Sequence, residues 1–213
     1  MILAKAVPLA FLSIGVFLLM QVILPVVSFK LWLIGQNYNN QILVSPRDQN
    51  NAKVLGVSIQ TKDNFPAIIS SLKRESKADY AKFVLSVPKL KIDKAMVKVD
   101  SNDLSESLAH LPGSALPGEK GNVFISGHSA LSQMFSLKEA LFGNLTELKK
   151  GDEIKINANG AEFKYEVVSL KVVDPSDISV INAPELQGRY ISLMTCVPPG
   201  LNFKRLVVLG KMI

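Results

Sequence analysis

The hydrophobic pattern changes character near residue 28. From Ala6 to Val27 there is no charge, and Gln21 is the only strongly polar side chain in a run of 22 residues. As a helix this run is about 33 Å long, close to the hydrocarbon thickness of a bilayer. Pro8 and Pro25 fall near its ends, where a helix tolerates proline best, and Trp32 follows where an interfacial aromatic is expected. The run exceeds the roughly 7–15 apolar residues of a cleaved leader. A retained membrane span is therefore expected, although Val26-Val27-Ser28 resembles a cleavage site. Lys5 before the run and Lys30 after it leave its orientation undecided by charge.

Beyond the span the period shortens. Residues 36–53 are rich in Asn and Gln with no sustained apolar period, and read as a tether. Val54 to Ile59 suits a short strand. Asp63-Asn64 before Phe65-Pro66 is a helix-start signal, with Ile68, Ile69 and Leu72 as an apolar face to about Lys77. From Ala81 the pattern is mainly β: Phe83 to Val87, Leu90 to Val99, Asn122 to Ser126, Tyr190 to Thr195 and Leu206 to Leu209. Ser101 or Asn102 is expected to cap a short helix carrying Leu104, Glu106 and Leu108. Asp152–Ala158 and Ala161–Val173 flank Asn159-Gly160, the strongest hairpin signal in the chain. Many short strands, few helices and no strand–helix–strand rhythm predict a β-barrel rather than a parallel sheet. The expected organisation is a flank at 1–5, a span at 6–27, a tether at 28–53, an extension at 54–80 and a β domain at 81–213.

Composition excludes several classes. The net charge is +6, but the basic residues are interleaved with apolar and polar ones, and no aromatic–basic alternation is present. Nucleic-acid binding is not expected without that footprint. The single cysteine, Cys196, rules out an internal disulfide and leaves no Cys/His spacing suited to zinc.

An unpaired cysteine can be a nucleophile if a base or cation populates its thiolate. Cys196 ends the apolar run Ile191 to Thr195 and precedes Val197-Pro198-Pro199-Gly200. His128 follows Phe124-Ile125-Ser126-Gly127, and Arg205 opens Leu206-Val-Val-Leu nine residues after the cysteine. Each has an ordinary reading by itself: a buried thiol, a loop histidine, a solvated strand-edge arginine. The second histidine, His110, reads as structural, before Leu111-Pro112-Gly113 in a turn-rich stretch.

In their order along the chain these blocks resemble the sortase family. Ser192-Leu-Met-Thr-Cys196 is similar to the signature Thr-Leu-x-Thr-Cys, with serine in place of the first threonine. Arg205-Leu-Val-Val fits the arginine strand that follows, and Gly121-Asn-Val-Phe-Ile-Ser-Gly-His128 fits the histidine strand. His110-Leu-Pro-Gly-Ser-Ala-Leu-Pro-Gly118 and Val87-Pro-Lys-Leu-Lys-Ile-Asp93 resemble earlier family segments. The resemblance covers residues 81–213 and implies a closed barrel of about eight strands with short helices. It further implies a cysteine transpeptidase with Cys196 as nucleophile, His128 as acid–base, Arg205 at the oxyanion, and Thr195 and Ser192 against substrate. The implied substrates are exported proteins with a Leu-Pro-x-Thr-Gly-like motif. The acceptor is an amine of the cell wall or a pilin, and the domain lies outside the cell membrane. This chemistry requires no cofactor. Some sortases bind calcium at carboxylates, but no calcium site is assignable from these residues. The rival readings are a hydrolytic cysteine peptidase and a non-catalytic wall-binding barrel.

Overall fold

The computed structural model describes residues 2–38, 42–44, 57–62, 65–70, 78–129, 140–199 and 203–213. Residues 1–39 and 40–213 form two compact units. The first is a single helix, α1 (Ile2–Tyr38). Its stretch Phe11–Gly35 has mean hydropathy 2.3 and no burial within the protein, which makes it long and apolar enough to cross a membrane. The helix does not stop at Val27. The sequence from Ser28 to Ile34 stays helix-compatible, and Phe29 and Trp32, one turn apart, stack with centroids 5.5 Å apart.

The second unit is built of strands β1 (Ile42–Val44), β2 (Val57–Lys62), β3 (Phe65–Ser70), β4 (Lys82–Val87), β5 (Ile92–Lys98) and β6 (Leu108–His110). They are followed by β7 (Gly121–Ser126), β8 (Glu153–Ala158), β9 (Ala161–Val173), β10 (Arg189–Val197) and β11 (Lys204–Met212). Eight of them close a barrel in the order β9-β11-β10-β7-β6-β5-β4-β8, and β8 pairs back to β9. Closure leaves the ring without an open edge. β1 adds in parallel to β9, within the stretch expected to be a tether. The interior is filled by alternate residues of paired strands, among them Phe83, Leu85, Val97, Val123, Ile125, Ile154, Ile156, Tyr165, Ile191, Leu193, Leu206 and Val208, all at most 2% exposed.

The Asn159-Gly160 hairpin joins β8 to β9 with both residues in the left-handed region, at φ +50° and +83°. A Cβ on Gly160 meets no atom within 4 Å. Gly160→Ala is therefore expected to cost only its backbone strain, about 1–2 kcal/mol, read by denaturant unfolding.

Two expected helices are absent. Phe65–Ser70 is a strand paired antiparallel to β2 from Lys62↔Phe65 to Val57↔Ser70, in place of the helix expected there; Leu72 to Lys77 lie outside the described residues. The two adjacent β-branched residues Ile68 and Ile69 suit a strand better than a helix once a partner is available. Residues 101–107 form consecutive turns. Ser101 Oγ accepts from Asp103 N at 3.0 Å and Asp103 Oδ1 accepts from Ser105 N at 3.0 Å, so the would-be capping residues close local loops. Asn102 is drawn away to Ser70, accepting from its N–H and donating to its carbonyl.

Candidate active site

The apolar runs of β7 and β10 are unbroken because both strands are covered on two sides. Val123, Ile125, Ile191 and Leu193 face the barrel interior. On the outer face Phe124 and Met194 join Leu111, Val173 and Val207 in a second buried cluster, against which Val180 and Ile181 pack. Strands of this kind lose the polar alternation of a half-exposed sheet.

β7 and β10 run in parallel, in register from Gly121↔Arg189 to Ser126↔Met194. Parallel strands in register end together. Continuing this register two residues past Ser126↔Met194 brings His128 level with Cys196. β11 returns antiparallel to β10 with Arg205 directly opposite Cys196. Three positions separated by 68 and 9 residues in sequence thus share one rung at one end of the barrel wall.

The rung is pinned by Gly127. Its N–H donates to Met194 O at 3.1 Å, and its carbonyl accepts from Thr195 Oγ1 at 3.0 Å. The residue before His128 is therefore fixed to the two residues before Cys196. Gly127 also packs tightly: a Cβ there would lie 2.5 Å from Phe142 Cδ2 and 2.6 Å from Leu108 Cδ2, both on buried side chains. Gly127→Ala is expected to destabilise the fold by about 1–3 kcal/mol through overpacking, measured as a lowered Tm. It should also displace His128 and lower turnover at temperatures where the protein remains folded.

A family model for the sortase domain matches residues 85–213. The chain belongs to the sortase family. Sortase D of Bacillus subtilis is 32% identical over 132 residues, which are 60% of this chain and 62% of that protein. The chain thus spans about three fifths of that relative's length. Sortase A of Listeria monocytogenes is 24% identical across 99% of this chain and 91% of the relative. Among solved structures, sortase A from Corynebacterium diphtheriae, in a lid mutant, matches with TM-score 0.55 and 33% identity, over 63% of this chain and 70% of that one. Sortases are cysteine transpeptidases, and the closed eight-stranded barrel is the architecture expected of them.

Within this sortase domain the three rung positions differ in exposure. His128 is exposed, Cys196 half-buried and Arg205 buried, its Nη1 donating to Lys204 O at 3.1 Å. Burial pushes the Cys196 thiol above its ordinary pKa, and the Arg205 charge pulls it back only in part. Such a site favours the thiol at neutral pH and offers a fixed cation where negative charge appears on sulfur or on an attacked carbonyl oxygen.

The two residues expected against substrate are both enclosed. Ser192 is fully buried and its Oγ accepts from Asn122 Nδ2 at 2.9 Å. Thr195 is 3% exposed and its hydroxyl is spent on Gly127. His110 is buried as a structural residue, with Nε2 2.9 Å from both Ala115 O and Ser114 Oγ. Sequence reasoning passed over Asn122, the polar residue inside an otherwise apolar strand, and Asp174, which pairs with Lys204 at 2.7 Å beside Arg205. The first carried a legible signal, a lone amide in an apolar run. The second carried none, since its partner is 30 residues away.

Proposed function

We propose that the chain is a membrane-anchored cysteine transpeptidase that cleaves a Leu-Pro-x-Thr-Gly-like sorting motif of exported proteins and transfers the acyl group to an amine of the cell wall or of a pilin. α1 serves as a single-pass anchor, with the barrel on the outer side of the membrane. The observation that carries this reading is the shared rung of positions 128, 196 and 205 in a chain of the sortase family.

Cys196 Sγ, as thiolate, attacks the carbonyl carbon of the scissile peptide bond. The oxyanion that forms is stabilised by Arg205. The C–N bond then breaks as His128 gives a proton to the departing amine, which leaves a thioester on Cys196. An incoming amine attacks this thioester, His128 takes the amine's proton, and the thiolate leaves with the new amide formed. Thr195 acts by holding Gly127, and Ser192 by engaging Asn122. These are positioning roles, assigned in place of the substrate contacts expected from the resemblance.

The test incubates the purified full-length chain with a library of motif peptides and an amine acceptor, followed by mass spectrometry. The expected result is an acyl adduct on Cys196 together with an amine-linked product. Adduct that yields only hydrolysed peptide despite abundant amine would make the enzyme a peptidase. A reactive thiol with neither adduct nor product across the library would favour the non-catalytic barrel.

A further inference from the structure

The connection from β9 to β10 crosses the outer face of the barrel wall. It leaves Val173, which pairs with Arg205 and so stands at the Cys196 level. It then forms a short 3₁₀ turn, Ile178–Ile181, capped by Asp177, whose carboxylate accepts from Ser179 N at 3.1 Å. Val180 and Ile181 close over Phe124 and Met194. The turn is fastened at its start by Asp174 to Lys204 at 2.7 Å and by Asp177 to Lys171 at 3.8 Å. Its far end is held by one side chain, Asn122, whose Nδ2 lies 3.0 Å from Ile181 O, 3.3 Å from Val180 O and 2.9 Å from Ser192 Oγ.

The amide's orientation follows from these partners. Two carbonyl oxygens can accept only from an NH₂ group, so the nitrogen must face the turn. Asn122 Oδ1 is then buried and accepts no hydrogen bond among the described residues, where it is the one buried side-chain polar atom so left. Burying an unmatched acceptor opposes folding. The carboxamide therefore stabilises this position only through what its donor side holds, and that is the turn. Ser192 is four residues before Cys196 on the same face of β10, about 13 Å along the strand. Asn122 is thus too far from the sulfur to touch reacting atoms.

We infer that Asn122 is a positioning residue of this site: by tying the carbonyls of Val180 and Ile181 to the barrel wall, it sets the apolar wall that runs from the Cys196 level and along which the acyl-donor peptide is held. This rests on the transpeptidase reading for its effect on peptide, and on the hydrogen bonds alone for its effect on the turn.

The experiment compares wild type, Asn122→Leu and Asn122→Thr in the full-length, detergent-solubilised chain. Three quantities are read: amide hydrogen exchange of residues 178–182, the KM and kcat for a motif peptide, and the rate of Cys196 alkylation by iodoacetamide. Asn122→Leu matches the volume and removes the donors. It is expected to speed exchange across the turn at least about tenfold and to raise KM about tenfold, the scale of one or two lost hydrogen bonds. Its kcat and alkylation rate should stay within about twofold, since neither depends on the wall. Asn122→Thr keeps one donor and is expected to fall between the other two in both exchange and KM; if Asn122→Leu fails to fold, this variant decides by the same readouts. Unchanged exchange with unchanged KM overturns the inference. So does a parallel fall in kcat and alkylation, which would mark a general loss of structure. A wild-type chain that turns over no peptide overturns the transpeptidase reading and leaves the tie between Asn122 and the turn to be decided by the exchange data.

Discussion

Cys196→Ala is expected to abolish transpeptidation, with kcat reduced by roughly 10⁶-fold, the scale seen when a covalent nucleophile is removed from an enzyme that depends on one. The fold should survive. Cys196 contributes its backbone to the β10–β11 ladder, and alanine keeps that ladder while giving up one half-buried sulfur atom. The check is threefold: the Tm, the loss of the acyl adduct by mass spectrometry, and the rate of amine-linked product. The thiol also makes a statement about pH. Burial holds its pKa above the ordinary thiol range, with Arg205 offsetting part of the rise. The thiolate fraction, and with it the rate of alkylation by iodoacetamide, should therefore still be climbing above pH 8 in the wild type. Retention of motif cleavage by Cys196→Ala would remove the basis of the covalent mechanism.

Arg205→Gln is expected to be the next most damaging change, lowering kcat/KM about 10²–10³-fold, as loss of one oxyanion donor does. Two effects add. The donor to the tetrahedral intermediate is lost, and so is the positive charge that draws the thiol pKa down. The sign is fixed by that second effect: without the cation burial acts unopposed, the pKa rises further, and the alkylation profile moves to higher pH. At a fixed pH near 8 the variant should alkylate more slowly than wild type. Arg205→Lys separates the two contributions. It keeps the charge, so alkylation should stay near wild type, while the planar fork is lost and turnover falls to an intermediate level. If Arg205→Gln alkylated at the wild-type rate and kept its turnover, Arg205 would be only a packed strand residue.

Much of this protein was readable from local signals. The uncharged run from Ala6 to Val27 required a long apolar helix because no other structure satisfies backbone groups in hydrocarbon. Asn159-Gly160 required a two-residue hairpin because both positions need a positive φ. The strands containing Asn122–Ser126, Tyr190–Thr195 and Leu206–Leu209 all formed, and the ordered blocks around His128, Cys196 and Arg205 pointed to the family before any pairing was known.

The pairing itself was not readable. That β7 lies parallel to β10, and so brings Gly127-His128 to the end of the strand bearing Cys196, depends on contacts between segments about 68 residues apart. Periodicity reports which face of a strand is apolar, not which strand lies beside it. The same limit explains the helix expected at Phe65: its start signal was genuine, but pairing with Val57–Lys62 prevailed over it. It also explains Ser192 and Thr195, whose hydroxyls looked available in the sequence and are enclosed because a second layer, Val180 and Ile181 on one side and the barrel interior on the other, covers β10. Residue type and spacing determined which elements form and which groups hold the chemistry. Long-range packing decided which of those groups meet, because the free energy that selects one register over another comes from burying both faces of a strand at once.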